Sequence, residues 1–149
     1  MKIAIASDHA GFRLKEEVVQ FLRERGHEVI DFGCHEESSV DYPDYGAEVA
    51  RRVSSGEVQR GILICGTGVG MSIVANKFPR VRAALVCHEY AARIAKEHTD
   101  ANILVLAGRV VGKVLAEEMV RAWLEASFQG GRHSKRLKKI EEIEERNFR

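Results

Sequence analysis

Gly61-Ile62-Leu63-Ile64-Cys65-Gly66-Thr67-Gly68-Val69-Gly70 decides the fold. Its apolar first half reads as a buried strand that ends at a thiol, and its second half as a glycine loop. Met71-Ser72-Ile73-Val74-Ala75-Asn76-Lys77, directly after, has the composition of a helix opening. Glycines at alternate positions let backbone N–H groups turn toward one point, and a helix N-terminus adds partial positive charge there. Such a cup suits an anion, with Cys65 at its lip. A plainer reading stays open, in which the glycines only shape a tight turn and Cys65 is a small core residue.

The alternation of strand and helix continues on both sides. Lys2-Ile3-Ala4-Ile5-Ala6 is a short apolar strand, and Leu14, Val18, Phe21 and Leu22 follow at helical spacing until Gly26 ends the helix. His27 to Phe32 gives a second strand. Asp41 to Tyr45 opens a helix with Pro43 in its first turn, Val49, Ala50 and Val53 as its stripe and Ser54-Ser55-Gly56 as its close. Beyond the glycine loop and its helix, which Phe78-Pro79-Arg80 breaks, Ala83 to Cys87 forms a fourth strand. His88 to His98 reads as helix with Ala91, Ile94 and Ala95 inward. Asn102 to Ala107 is the fifth strand, and Val111, Leu115, Met119, Ala122 and Ala126 line a further helix. Apolar strands, each followed by an amphipathic helix, predict a parallel sheet covered on both faces. That is a doubly wound α/β fold, which binds ligands at the carboxyl ends of its strands.

A chain of 149 residues suits one domain, spanning 1–149. Lys+Arg 23 against Asp+Glu 22 leaves a net charge of +1, so no broad attraction to nucleic acid or to a membrane surface is expected, and any anion site must be local. No apolar run reaches membrane-spanning length, and Met1-Lys2-Ile3-Ala4-Ile5 enters a strand without a signal-peptide layout, which points to the cytoplasm. Cys34, Cys65 and Cys87 contain no C-x-x-C pair and fit a reducing compartment without a structural metal. A redox pair of Cys65 and Cys87, both at strand ends, stays open. The tail, 129–149, sets Lys135, Arg136, Lys138 and Lys139 among Leu137, Ile140 and Ile143. A charged helix with so thin an apolar stripe needs a surface to pack on, and a second copy of the chain is the natural candidate.

Chemistry-bearing residues gather, in this reading, along the carboxyl edge of the sheet. The first strand delivers Asp8 and His9, the third Cys65 and the cup, the fourth Cys87 and His88, and Arg109 follows the fifth. His98-Thr99-Asp100-Ala101-Asn102, just ahead of the fifth strand, is counted with them. A thiolate acts as a base as well as a nucleophile. Backbone amides hold an oxyanion formed when a proton leaves carbon beside a carbonyl. A histidine can protonate a sugar ring oxygen, and arginines clamp phosphate. Together these suit proton abstraction alpha to a carbonyl in a phosphorylated substrate. A dinucleotide site is weakly supported, because the Gly66-x-Gly68-x-Gly70 loop follows the third strand and Glu89 is a poor ribose partner. A cysteine hydrolase using Cys65 and His98 lacks an evident third member.

Four stretches carry a resemblance: Ser7-Asp8-His9-Ala10-Gly11-Phe12, Ser39-Val40-Asp41-Tyr42-Pro43-Asp44, Cys65-Gly66-Thr67-Gly68-Val69-Gly70-Met71-Ser72 and Gly130-Gly131-Arg132-His133. In this order they resemble the type B ribose-5-phosphate isomerases, a family shared with the galactose-6-phosphate isomerase subunits. The resemblance covers essentially the whole chain. It implies a Rossmann-like homodimer, or a dimer of such dimers, interconverting ribose 5-phosphate and ribulose 5-phosphate through an enediolate without metal or other cofactor. It implies Cys65 as the base, and the backbone of Gly66, Thr67, Gly68, Val69 and Gly70 as the anion hole with the Thr67 side chain beside it. It implies His98 as the acid that opens the furanose ring, with Asp8 and Tyr42 holding sugar oxygens. His9, Arg132 and Arg136 are implied as the phosphate clamp, with Arg109 a further contact and the site shared between two subunits. Many members carry Asn where this chain has Thr99, a shorter substrate contact. A six-carbon sugar phosphate as substrate, or a non-catalytic phosphate sensor on the same fold, are the alternatives.

Overall fold

The computed structural model describes residues 1–148. In chain order the elements are β1 (Lys2–Ser7), α1 (Phe12–Glu24), β2 (Glu28–Asp31), α2 (Tyr42–Ser54), β3 (Arg60–Cys65) and α3 (Val69–Ala75). They continue with β4 (Ala83–Leu85), α4 (Glu89–Thr99), β5 (Ile103–Ala107), α5 (Lys113–Glu125) and α6 (Arg132–Asn147). All strand pairs are parallel, in the order β2-β1-β3-β5-β4.

The 61–65 stretch is the middle strand, and its alternation serves two cores at once. Ile62 and Ile64 pack with Leu14, Val18, Met119 and Trp123 of α1 and α5. Leu63 and Cys65, pointing the other way, pack with Val49, Val53, Met71 and Ala75 of α2 and α3. A strand buried on both faces reads as an unbroken apolar run because every side chain has a layer to enter. Winding runs from β1 outward to β2, then crosses back to β3 on the other side. The crevice of such a sheet opens where that direction reverses, between the ends of β1 and β3.

Four details differ from the sequence reading. The fourth strand is only three residues long, because it is the half-buried edge of the sheet, and Cys87 lies beyond it, exposed. With β5 between β3 and β4, Cys65 and Cys87 leave strands two apart, roughly 10 Å, and all three cysteines are free thiols. This removes the redox pair. On α4 the buried positions are Ala92 and Ala95, with Ile94 only half-buried. On α5 they are Ala116, Met119, Val120 and Trp123, spaced i, i+3, i+4, i+7, whereas Leu115 is exposed and Ala126 caps the end. Trp123 fixes that phase: its indole is fully buried and its Nε1–H donates to the Ala101 carbonyl at 3.0 Å.

Candidate active site

At the carboxyl edge, three chain exits are tied together by backbone. The Asp8 N–H donates to the Ile64 carbonyl at 3.2 Å, carrying the β1 ladder one residue past the strand. The Asp8 carboxylate is buried and accepts from the Gly11 N–H at 3.0 Å, which turns the chain into α1. That turn requires glycine, since a Cβ at Gly11 would lie 2.7 Å from the Ile64 carbonyl oxygen. On the far side, the Gly108 N–H donates to the Cys65 carbonyl at 2.8 Å and the Arg109 N–H to the Gly66 carbonyl at 3.0 Å. Locked this way, the Arg109 side chain lies over the loop, with Cδ and Nη1 at 3.5 and 3.6 Å from where a Gly66 Cβ would be.

Cys65 stands between these exits, 5% exposed on the α2 and α3 side of the sheet. After it Gly68, at φ +79, takes a left-handed conformation as the cap of α3. The Thr67 hydroxyl oxygen accepts from the Val69 N–H at 3.3 Å, so one amide of the expected cup already has a partner. The first-turn amides of Gly70 and Met71 have no acceptor four residues back and stay free to bind an anion. Tyr42, at the start of α2, lies directly on this turn: a Cβ at Gly70 would be 2.4 Å from its ring and 2.9 Å from its hydroxyl. His9 accepts from the Val40 N–H through Nδ1 at 3.2 Å, which leaves Nε2 as the ring's donor.

The Gly68 conformation admits no side chain. Besides the positive φ, a Cβ there would sit 2.3 Å from Leu85 Cδ1. Gly68→Ala is expected to destabilise the fold by about 1–3 kcal/mol and, by displacing the amides, to lower kcat by roughly 10²-fold. Thermal melting and initial rates check both, and an unchanged rate would show that the loop's exact course does not matter.

His98, Thr99, Arg132 and Arg136 lie at the other end of the sheet. A helix that returns between parallel strands ends at their amino edge, and α4 carries His98 and Thr99 there. Hydrogen bonds fix the segment. The Gly61 N–H donates to the Asn102 carbonyl at 2.9 Å, the Arg82 N–H to Asn102 Oδ1 at 2.8 Å and the Arg82 Nε–H to the Thr99 carbonyl at 3.0 Å. The Thr99 hydroxyl donates into its own helix, to the Ala95 carbonyl. The sequence expectation that set His98 and Thr99 on the same edge as Cys65 is therefore corrected: residues just ahead of a strand lie at its start. Five residues of β5 separate the two edges, roughly 16 Å.

The tail joins this second group. The Gln129 N–H donates to the Glu97 carbonyl at 3.0 Å, and His133 stacks on His98 with ring centroids 4.1 Å apart and planes 15° from parallel. Burial, with His98, Arg132 and Arg136 adding positive charge, pushes the pKa of His133 below that of an ordinary histidine. Arg132 and Arg136, on the outer side of α6, are exposed. The helix seats on its own chain through His133, Leu137 and a bond from the Arg80 N–H to Glu144 Oε1 at 2.9 Å, leaving Ile140 and Ile143 half-uncovered. The grooves beside it, lined by Val81, Ala84, Thr99, Ile140, Ile143 and Phe148, lie at the amino edge, well away from Cys65.

The chain thus brings together Asp8, His9, Tyr42, Cys65, Arg109 and the loop from Gly66 through Thr67, Gly68 and Val69 to Gly70. It brings together, separately, His98, Thr99, Arg132 and Arg136. The role of His133 escapes the sequence, although its place in Gly130-Gly131-Arg132-His133 marks the start of α6.

Comparison with known proteins finds relatives that span nearly the whole chain. Residues 3–140 match the family described as ribose/galactose isomerase. A putative sugar phosphate isomerase of Bacillus subtilis is 51% identical, over 99% of this chain and 100% of the relative. The ribose-5-phosphate isomerase B of Escherichia coli is 51% identical, over 97% of both. Among solved structures, ribose-5-phosphate isomerase B of Clostridium thermocellum superimposes with a TM-score of 0.96 at 59% identity, covering 98% of this chain and 99% of that one. The Mycoplasma genitalium enzyme with bound ribulose-5-phosphate gives 0.93 at 41% identity, covering 97% and 96%.

Proposed function

Because the chain belongs to the ribose/galactose isomerase family, we propose that it interconverts ribose 5-phosphate and ribulose 5-phosphate at a site completed by a second copy of itself. It is an isomerase of a sugar phosphate. The observation that carries the assignment is Cys65 at the switch of the sheet, its loop amides beside it and Asp8 and Arg109 locked around it, in a chain half identical to named ribose-5-phosphate isomerases.

His98 donates a proton to the ring oxygen as the C1–O4 bond breaks, and the C1 hydroxyl loses its proton to leave the open aldehyde. Cys65, as thiolate, takes the proton on C2. That electron pair becomes the C1–C2 double bond, and the carbonyl pair moves onto O1. The amides of the loop hold the enediolate so formed, with Thr67 setting the loop's turn. Cys65 then returns the proton to C1, the C2 oxygen becomes the ketone, and O1 gains a proton. Asp8, Tyr42 and Arg109 hold sugar hydroxyls, and Thr99 lies beside His98. His9, through Nε2–H, with Arg132 and Arg136 holds the phosphate.

The roughly 16 Å between the two groups supports two chains per site, with the amino edge of one copy meeting the carboxyl edge of the other. A homodimer, alone or doubled into a tetramer, closes two such sites at once and covers the half-exposed Ile140 and Ile143. Residues 1–149 act as one unit. No described helix is long and apolar enough to cross a membrane, and three unpaired thiols suit the cytoplasm.

Incubation with ribose 5-phosphate in heavy water tests the assignment. Ribulose 5-phosphate carrying deuterium at C1 is expected, in excess chelator and without nicotinamide. Absence of label would reduce the protein to a sensor. A higher kcat/KM for allose or galactose 6-phosphate would move the substrate to six carbons.

A further inference from the structure

We infer that His133 is a positioning residue for the ring-opening acid, holding the His98 imidazole in one orientation by stacking flat against it. The inference rests on the reading of His98 as that acid. Centroids 4.1 Å apart and planes within 15° set the two rings face to face in a stack. Stacking leaves the ring edge, where both nitrogens lie, uncovered. His98 itself is only partly buried at the end of α4, where a side chain without support would sample several rotamers. His133 is 6% exposed, and so is the fixed member of the pair.

The backbone around His133 is built to deliver it. The bond from Gln129 to Glu97 anchors the chain to α4. Gly130 and Gly131 follow with φ of +66 and +55, and a Cβ at Gly131 would touch nothing within 4 Å. That glycine is there for its conformation and not for space. The His133 N–H then donates to the Gly130 carbonyl at 3.0 Å, and Leu137, one turn on, is buried and holds the helix down. Arg132 and Arg136 flank the ring, so one rigid turn carries both the phosphate clamp and the support of the acid. Burial and the surrounding positive charges push the His133 pKa down, which favours the neutral ring, whose π face lies on His98 without adding a charge of its own.

The substrates themselves supply the test. Ribulose 5-phosphate has its 5-oxygen esterified and cannot close a furanose ring, so exchange of its C1 hydrogen with heavy water needs the base but no ring opening. Ribose 5-phosphate turnover needs both. His98→Asn is expected to cut ribose 5-phosphate turnover by roughly 10²-fold with exchange nearly intact. His133→Ala is expected to cut it roughly tenfold, also with exchange within about twofold of wild type, and His133→Phe, which keeps a flat ring, to recover most of the loss. Retained exchange also certifies folded, assembled enzyme. Equal losses in both assays for His133→Ala, or none, beside a split for His98→Asn, would overturn the positioning role alone. No split for His98→Asn would overturn the reading of His98. If His133→Ala does not fold, His133→Phe against His133→Gln decides: turnover by Gln equal to or above Phe defeats the stacking role.

Discussion

Cys65→Ala is expected to lose isomerisation by roughly 10³-fold or more in kcat while still binding a phosphorylated sugar acid that mimics the enediolate. A base contributes almost nothing to holding the ground state and most of its effect as the proton leaves carbon, so the loss falls on kcat and not on affinity. The fold tolerates the change. The thiol occupies an apolar cluster with Leu63, Met71 and Val105, contacts that an alanine Cβ largely keeps. The phosphate clamp proposed for His9, Arg132 and Arg136 is not touched by the substitution. Rates, calorimetric titration with the inhibitor and a melting curve together check it. Turnover near the wild-type rate in a folded Cys65→Ala protein would end the thiolate mechanism.

Mixing two crippled variants is expected to restore activity. In the proposed two-copy site, Cys65→Ala lacks the base at the carboxyl edge, and His98→Asn lacks the acid at the amino edge. When their subunits are unfolded and reassembled together, half the dimers are mixed, and each mixed dimer holds one site with both defects and one with neither. About one quarter of the wild-type sites should return. Each variant refolded alone keeps about 1% of the wild-type rate or less, so the signal rises from a low background. If both groups came from a single chain, no mixture would recover anything. The experiment needs only subunit exchange and an assay with ribose 5-phosphate.

Much of this is legible in sequence, for reasons that differ by residue. Strands such as Ile62-Leu63-Ile64 are recognisable because burial on both faces leaves no polar position, and glycines mark their exits. The loop at Gly68 is legible because a left-handed residue needs glycine. The end of β4 is not: Val86 and Cys87 are as apolar as a strand, and only the edge position of β4 stops the ladder at Leu85. The phase of α5 slips because Val111 and Leu115 suggest one stripe, whereas Trp123 fixes another through a carbonyl 22 residues away. The grouping of His98 with Cys65 fails for a topological reason, since nearness to a strand in sequence says nothing about which end is near. The stack of His133 on His98 joins residues 35 apart and leaves no periodic trace.

The separation of the two groups along β5 also has a consequence for mass action. With the proposed two-copy site, a lone subunit, however well folded, would hold the thiol without its acid and the phosphate clamp without its anion hole. Specific activity should then track subunit concentration, falling away once the protein is diluted below its self-association constant and returning when a His98→Asn chain is added in excess as a nearly silent partner.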